Sequence, residues 1–173
     1  MRTAPIAASL ASGSAFTAVY FIPNVELQLF ARGAAEMAGL FSGAPVLHIP
    51  EGWLLPFHHQ AVLVNEACSG VTFFVMLTAL LSWHIARIRN SVASAIMLAL
   101  PLSLALALTI NALRVLCLAQ MHRWVIPLLP ETYAHTAHLM VGVAVFLPAL
   151  IVFNLAFEYY GNPQRASACE STN

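Results

Sequence analysis

The chain contains no lysine and no aspartate; seven Arg and seven Glu carry all its formal charge and leave a net of zero. Charged residues fill 8% of the 173 positions, where a soluble domain usually has about a quarter. That scarcity excludes an ordinary soluble globular domain. The balance of signs removes the basic face that nucleic acid needs, so no nucleic-acid partner is expected. The three cysteines, Cys68, Cys117 and Cys169, lack Cys-x-x-Cys spacing. No metal pattern accompanies them, and no cofactor is expected.

What is abundant is apolar. Hydrophobic residues make up 60% of the chain, and mean hydropathy is +0.80. About 20 apolar residues cross a bilayer as a helix, and four runs approach that length: about 6–22, 69–86, 92–117 and 136–157. The fold class expected is therefore all-α, a polytopic membrane helix bundle of about four transmembrane helices forming one integral membrane domain. The first run is rich in small residues near Ala11 to Ala15, so a cleaved leader is its alternative reading. Arg87 and Arg89 sit in the short turn after the second run and place that turn in the cytoplasm. The N-terminus and the tail 159–173 then lie inside as well, and the membrane lipid is the chain's first partner.

Residues 24–66 are more polar and lie outside on this topology. Val25, Leu29, Ala34, Met37, Ala38 and Phe41 fall near helical spacing, with Arg32 and Glu36 as an i,i+4 pair. Pro45, Pro50-Glu51-Gly52 and Pro56 then bound three short pieces, Val46–Ile49, Trp53–Leu55 and Ala61–Val64. These predict a small extracytoplasmic β-rich segment leading into Cys68. Residues 120–134, with Trp124, Pro127, Pro130 and Tyr133, read as an outer loop at the headgroup level.

The reactive side chains occupy the ends of these runs. Cys68-Ser69-Gly70 opens the second, Asn111-x-x-Arg114 closes the third and His138 opens the fourth. Antiparallel helices bring an opening, a closing and an opening end to one membrane surface. At a helix mouth, free backbone N–H groups and the helix dipole favour a thiolate at Cys68. The N–H groups of Ser69 and Gly70 are candidate oxyanion donors. The plainer readings of Cys68 are a buried small hydrophobe or a disulfide with Cys117.

Arg114 marks function because ionisable groups within spans are costly; the plainer reading is an Arg snorkelling to headgroups. Asn111, one turn earlier, is placed to hold the guanidinium. His135 and His138 both suit acid/base chemistry near neutral pH. Only His138 has Gly142 one turn later, where a missing side chain admits another helix. Glu66, two residues before Cys68, either orients an imidazole or sits in water. His58-His59, His84 and His122 are less informative.

At these residues the chain resembles the exosortase/archaeosortase family of membrane cysteine transpeptidases. The motifs are Asn65-Glu66-Ala67-Cys68-Ser69-Gly70, Asn111-Ala112-Leu113-Arg114 and His138-Leu139-Met140-Val141-Gly142, in the family's order. The likeness covers roughly residues 60–155. It implies Cys68 as nucleophile, His138 as acid/base and Arg114 as third catalytic residue. It also implies exported protein substrates with a C-terminal transmembrane sorting signal, cleaved through a thioester at the outer face of a bacterial inner membrane. Typical members have about twice as many spans, so this chain resembles one of the short forms. Two other readings stand beside it. One is a membrane protein with haem held by His122 and His135 or His138, and the other is a structural scaffold.

Overall fold

The computed structural model describes residues 3–57, 60–125 and 131–160, without the side chains of 15, 16, 19, 20, 60, 131–135, 137, 138 and 160. Its elements are α1 (Ala4–Thr17), a 3-10 turn (Ala18–Phe21), a π-helix (Glu26–Ala31), α2 (Arg32–Ser42), β1 (Leu47–Ile49), β2 (Gly52–Phe57) and β3 (Gln60–Val64). A 3-10 turn (Glu66–Cys68), α3 (Val71–Arg89), α4 (Val92–Trp124) and α5 (Glu131–Tyr160) follow.

Among the described residues three stretches are helical, apolar and long enough to cross a bilayer: Glu66–Arg89, Val92–Trp124 and Leu139–Tyr159. These are the second, third and fourth of the expected spans. The first is shorter. Its α-helix has 14 residues, about 21 Å against a hydrocarbon core of about 30 Å, and it tightens into the 3-10 turn. Four crossings are therefore not established; three candidate spans are. Helix α1 packs along α3 and α4 through small residues, with Ala8, Ala86 and Ala95 in one buried cluster. That contact sets the start of α1 beside the α3–α4 turn.

Helix α4 also differs from expectation. It has 33 residues, about 50 Å of helix, and continues to Trp124, where a loop was expected from residue 120. The extra length is held by packing. Ala112, Val115, Leu118 and Ala119 are buried in the same cluster as Ala31, Ala35 and Ala38. Leu55, Val62 and Val64 of the sheet complete that cluster. Residues 126–130, 161–173 and the His58-His59 pair lie outside the described residues.

The expected β-rich segment forms, with one difference: Pro56, expected as a boundary, lies within β2 opposite Ala61. The sheet is antiparallel in the order β1-β2-β3, with Leu54 opposite both Leu47 and Leu63. The helix expected over residues 25–41 is present, with a difference in its first turns. Six residues wind as a π-helix, and Arg32 N–H reaches back to Leu27 O and Leu29 O. The Trp53 indole N–H also donates to Leu27 O at 3.3 Å. This joins β2 to the wide turn, and such turns occur mostly as single insertions near functional sites. Arg32 and Glu36 pair at 2.7 Å with half-exposed side chains, a contact worth at most about 0.5 kcal/mol.

Candidate active site

The turn that carries Cys68 is built by local hydrogen bonds. Asn65 caps it, its Oδ1 accepting from Ala67 N–H at 3.2 Å. Cys68 N–H donates to Asn65 O at 2.9 Å, and Ser69 N–H donates to Glu66 O at 3.0 Å. Gly70 then takes φ +73 and caps α3, a conformation that L side chains rarely adopt. Cys68 thus lies in the 3-10 turn ahead of α3. Its neighbour's amide, Ser69 N–H, is engaged by Glu66 O rather than open to an oxyanion.

Asn111 reaches this turn from α4. Its Nδ2 donates to Cys68 O at 2.6 Å and Ser69 O at 2.8 Å, with the side chain 1% exposed. The expectation that Asn111 holds the guanidinium is corrected: its two amide protons are used on the turn. The fit is close enough that a Cβ on Gly70 would stand 2.9 Å from Asn111 Cγ.

Arg114 lies one turn further along α4 and is 6% exposed. This excludes the snorkelling arrangement, because the guanidinium faces protein. Nη1 and Nη2 each reach Ala67 O at 3.5 Å, which is long for a hydrogen bond, and Nε has no partner among the described residues. On its other side Cζ stands 5.4 Å from the Phe146 ring centroid. Gly142 of α5 faces it directly: a Cβ there would lie 3.2 Å from Nε and 3.4 Å from Cζ. The close approach expected of Gly142 is therefore an approach to Arg114 itself. Because side chains four apart share a face, backbone position 138 stands one turn from that contact. The side chains of His138 and His135 lie outside the described residues.

A cavity of about 580 Å³ opens beside the turn. Ala67, Ser69, Gly70 and Arg114 line its polar end, together with Glu66 and Glu26. Its apolar walls run between α3 and α5 past Val71, Met76, Val143 and Leu150. Cys68 is not among the lining residues; it is 5% exposed and belongs to the apolar cluster under the sheet. Cys68 and Cys117 are both free thiols, so the disulfide reading is set aside. Two residues of the site carried no signal in the sequence: Glu26, which the π-helix delivers to the cavity, and Phe146, one more apolar residue in an apolar span.

The remaining histidines are elsewhere. His84, read as uninformative, is buried at the far end of α3, 3.1 Å from Asn154 Oδ1 and stacked near Phe157. His122 closes α4, and the partners proposed for it in a haem site are His135 and His138, whose side chains are not described. Among the described residues no group of three His, Cys, Asp or Glu gathers at metal-binding distance.

A carbonyl carbon entering the polar end of this cavity would meet a buried cation with a free N–H beside a cysteine-bearing turn. That is an arrangement for attack on an acyl group. A family model described as transmembrane exosortase matches residues 5–155. No curated protein and no solved structure matches the chain.

Proposed function

The chain belongs to the transmembrane exosortase family and is a multi-pass membrane protein, and from that premise we propose that it is a cysteine transpeptidase. It cleaves the C-terminal sorting signal of exported proteins and passes them to an acceptor. The observation that carries this reading is Arg114: a buried guanidinium whose Nε has no partner among the described residues, one turn past Asn111, lining a cavity beside Cys68-Ser69-Gly70.

In the proposed reaction the substrate's transmembrane helix enters sideways between α3 and α5, where the cavity walls are apolar. Its peptide just outside the apolar segment then lies at the polar end. Rotation about the Cys68 Cα–Cβ bond brings the thiol from the apolar cluster to the cavity. The thiolate attacks the peptide carbonyl, and the electron pair moved onto oxygen is stabilised by Arg114 and helix-mouth amides. His138 gives a proton to the leaving amine as the C–N bond breaks, leaving a thioester on Cys68. An amine or water then attacks the thioester, the C–S bond breaks, and the thiol is restored.

The topology belongs to the same proposal. The α1 helix with its 3-10 extension makes the first of four crossings, with Arg87 and Arg89 in the cytoplasm. The sheet, the Cys68 turn and Arg114 then face the outside of a bacterial inner membrane, where exported substrates arrive. Cys68→Ala should abolish processing of an exported protein with a C-terminal apolar helix, whereas Cys117→Ala should leave most of it. Processing that survives Cys68→Ala would remove the proposal.

A further inference from the structure

One buried side chain on α4 holds two consecutive carbonyl groups of the Cys68 turn. Asn111 Nδ2 donates to both Cys68 O and Ser69 O, at 2.6 and 2.8 Å. Two carbonyl acceptors require the nitrogen on that side of the amide and fix its orientation. A trans peptide unit is planar, so its C=O and the following N–H point in opposite directions. With Ser69 O drawn to α4, Gly70 N–H is turned away from Asn111. Ser69 and Gly70 both line the cavity. Gly70 N–H makes no hydrogen bond to the described residues, while the preceding amide, Ser69 N–H, is engaged by Glu66 O. Arg114, whose Nε has no partner among the described residues, lies one turn along the same helix.

We propose that Asn111 is a positioning residue that turns Gly70 N–H toward the cavity as an oxyanion donor for the carbonyl attacked by Cys68. The assignment rests on the reading of Cys68 as nucleophile. In the step it serves, a S–C bond forms while the carbonyl π pair moves onto oxygen, and Gly70 N–H and Arg114 receive that charge. Collapse returns the pair to carbon and expels the leaving group, and no proton passes through Asn111. Glycine at position 70 follows from the same geometry, since a Cβ would meet the Asn111 amide at 2.9–3.2 Å and φ is +73.

The test compares two reagents on detergent-solubilised protein in which Cys117→Ala and Cys169→Ala leave Cys68 as the single thiol. p-Nitrophenyl acetate acylates the thiol through a tetrahedral oxyanion. Iodoacetamide alkylates it at saturated carbon, with no oxyanion at any stage. Asn111→Ala should slow acetylation of Cys68 by about 100-fold, as loss of one oxyanion donor does, and leave alkylation nearly unchanged. Asn111→Asp adds a control against misfolding. Its carboxylate can only accept hydrogen bonds, so acetylation should fall as in Asn111→Ala; at lower pH the carboxyl regains an O–H and acetylation should partly recover. Among the described residues the charged groups on the elements packed here are Arg114, Glu66 and Glu26, α5 adds His138 by position, and the ratio of the two reactions at each pH cancels the effect of all four on the thiol. Equal slowing of both reactions in Asn111→Ala, or of neither, would overturn the assignment and leave Cys68 as nucleophile. A Cys68 inert to both reagents in the parent protein would remove the nucleophile reading and this inference with it.

Discussion

At the scale of single residues, two glycines and one arginine define the site more sharply than the cysteine does. Gly142 exists so that the Arg114 guanidinium can lie against α5, with room for a hydrogen but not for an isopropyl group. Gly142→Val should displace the guanidinium and slow thioester formation by about 100-fold, the usual result of about 1 Å of misplacement. Helix content by circular dichroism should stay at the parent value. Arg114→Lys keeps the charge but loses the planar fork and the contact over Phe146. It should lower acylation by a similar factor without reducing iodoacetamide labelling of Cys68. Gly70→Ala places a side chain in the left-handed region, at a cost of at least about 1–2 kcal/mol, so its thermal midpoint in detergent should fall. For the histidines, height along α5 decides. Position 138 is about 6 Å and position 135 about 10 Å from Gly142 along the helix axis. His138→Ala should cost a factor of about 100 or more in processing rate, as a lost acid/base does, and His135→Ala should be mild. A dead His135→Ala beside an active His138→Ala would assign the acid/base to the other imidazole.

At the scale of elements, the sequence carries what is periodic or punctuated and loses what depends on packing between distant segments. Pro45 and Pro50-Glu51-Gly52 made β1 and its turn into β2 legible, whereas Pro56, expected as a boundary, lies within β2 opposite Ala61; α3 was legible because Arg87 and Arg89 end it. The gathering of Cys68, Asn111 and Arg114 followed from which helix ends face which surface. The π-helix over Glu26–Ala31 left no such mark; the bond its Leu27 O accepts comes from the Trp53 indole of β2, 26 residues away. The extension of α4 to Trp124 was hidden for the same reason, since its support comes from α2 and the sheet. The role of Asn111 was misread because residues one turn apart suggest each other as partners, while the actual partners are 42 and 43 residues away. Topology can be tested at this scale. Single cysteines introduced into a Cys-less variant should be labelled by an impermeant maleimide at the β1–β2 turn only from outside. In the 87–90 turn they should react only from inside. The opposite pattern would invert the active side of the protein and remove exported substrates from its reach.

At the scale of the whole molecule, the polar end of the cavity beside the Cys68 turn stands against a bundle that has, among the described residues, three helices apolar and long enough to cross a bilayer. Helix α5 is the loosest of the three candidate spans, with 11% of its apolar window buried against 50% for the segment containing α3. The cavity is lined by residues of both helices and by Arg114, as the proposed sideways entry of a substrate helix requires. The central claim is that Cys68 carries the substrate as a thioester. The most direct measurement incubates the purified protein with an exported protein that ends in an apolar helix and a basic tail, then identifies covalent adducts by mass spectrometry. A hydroxylamine-labile adduct of the cleaved substrate should form on Cys68, be absent from Cys68→Ala and be scarce in Arg114→Lys. Cleavage at the parent rate by Cys68→Ala, with no adduct on any cysteine, would contradict that claim.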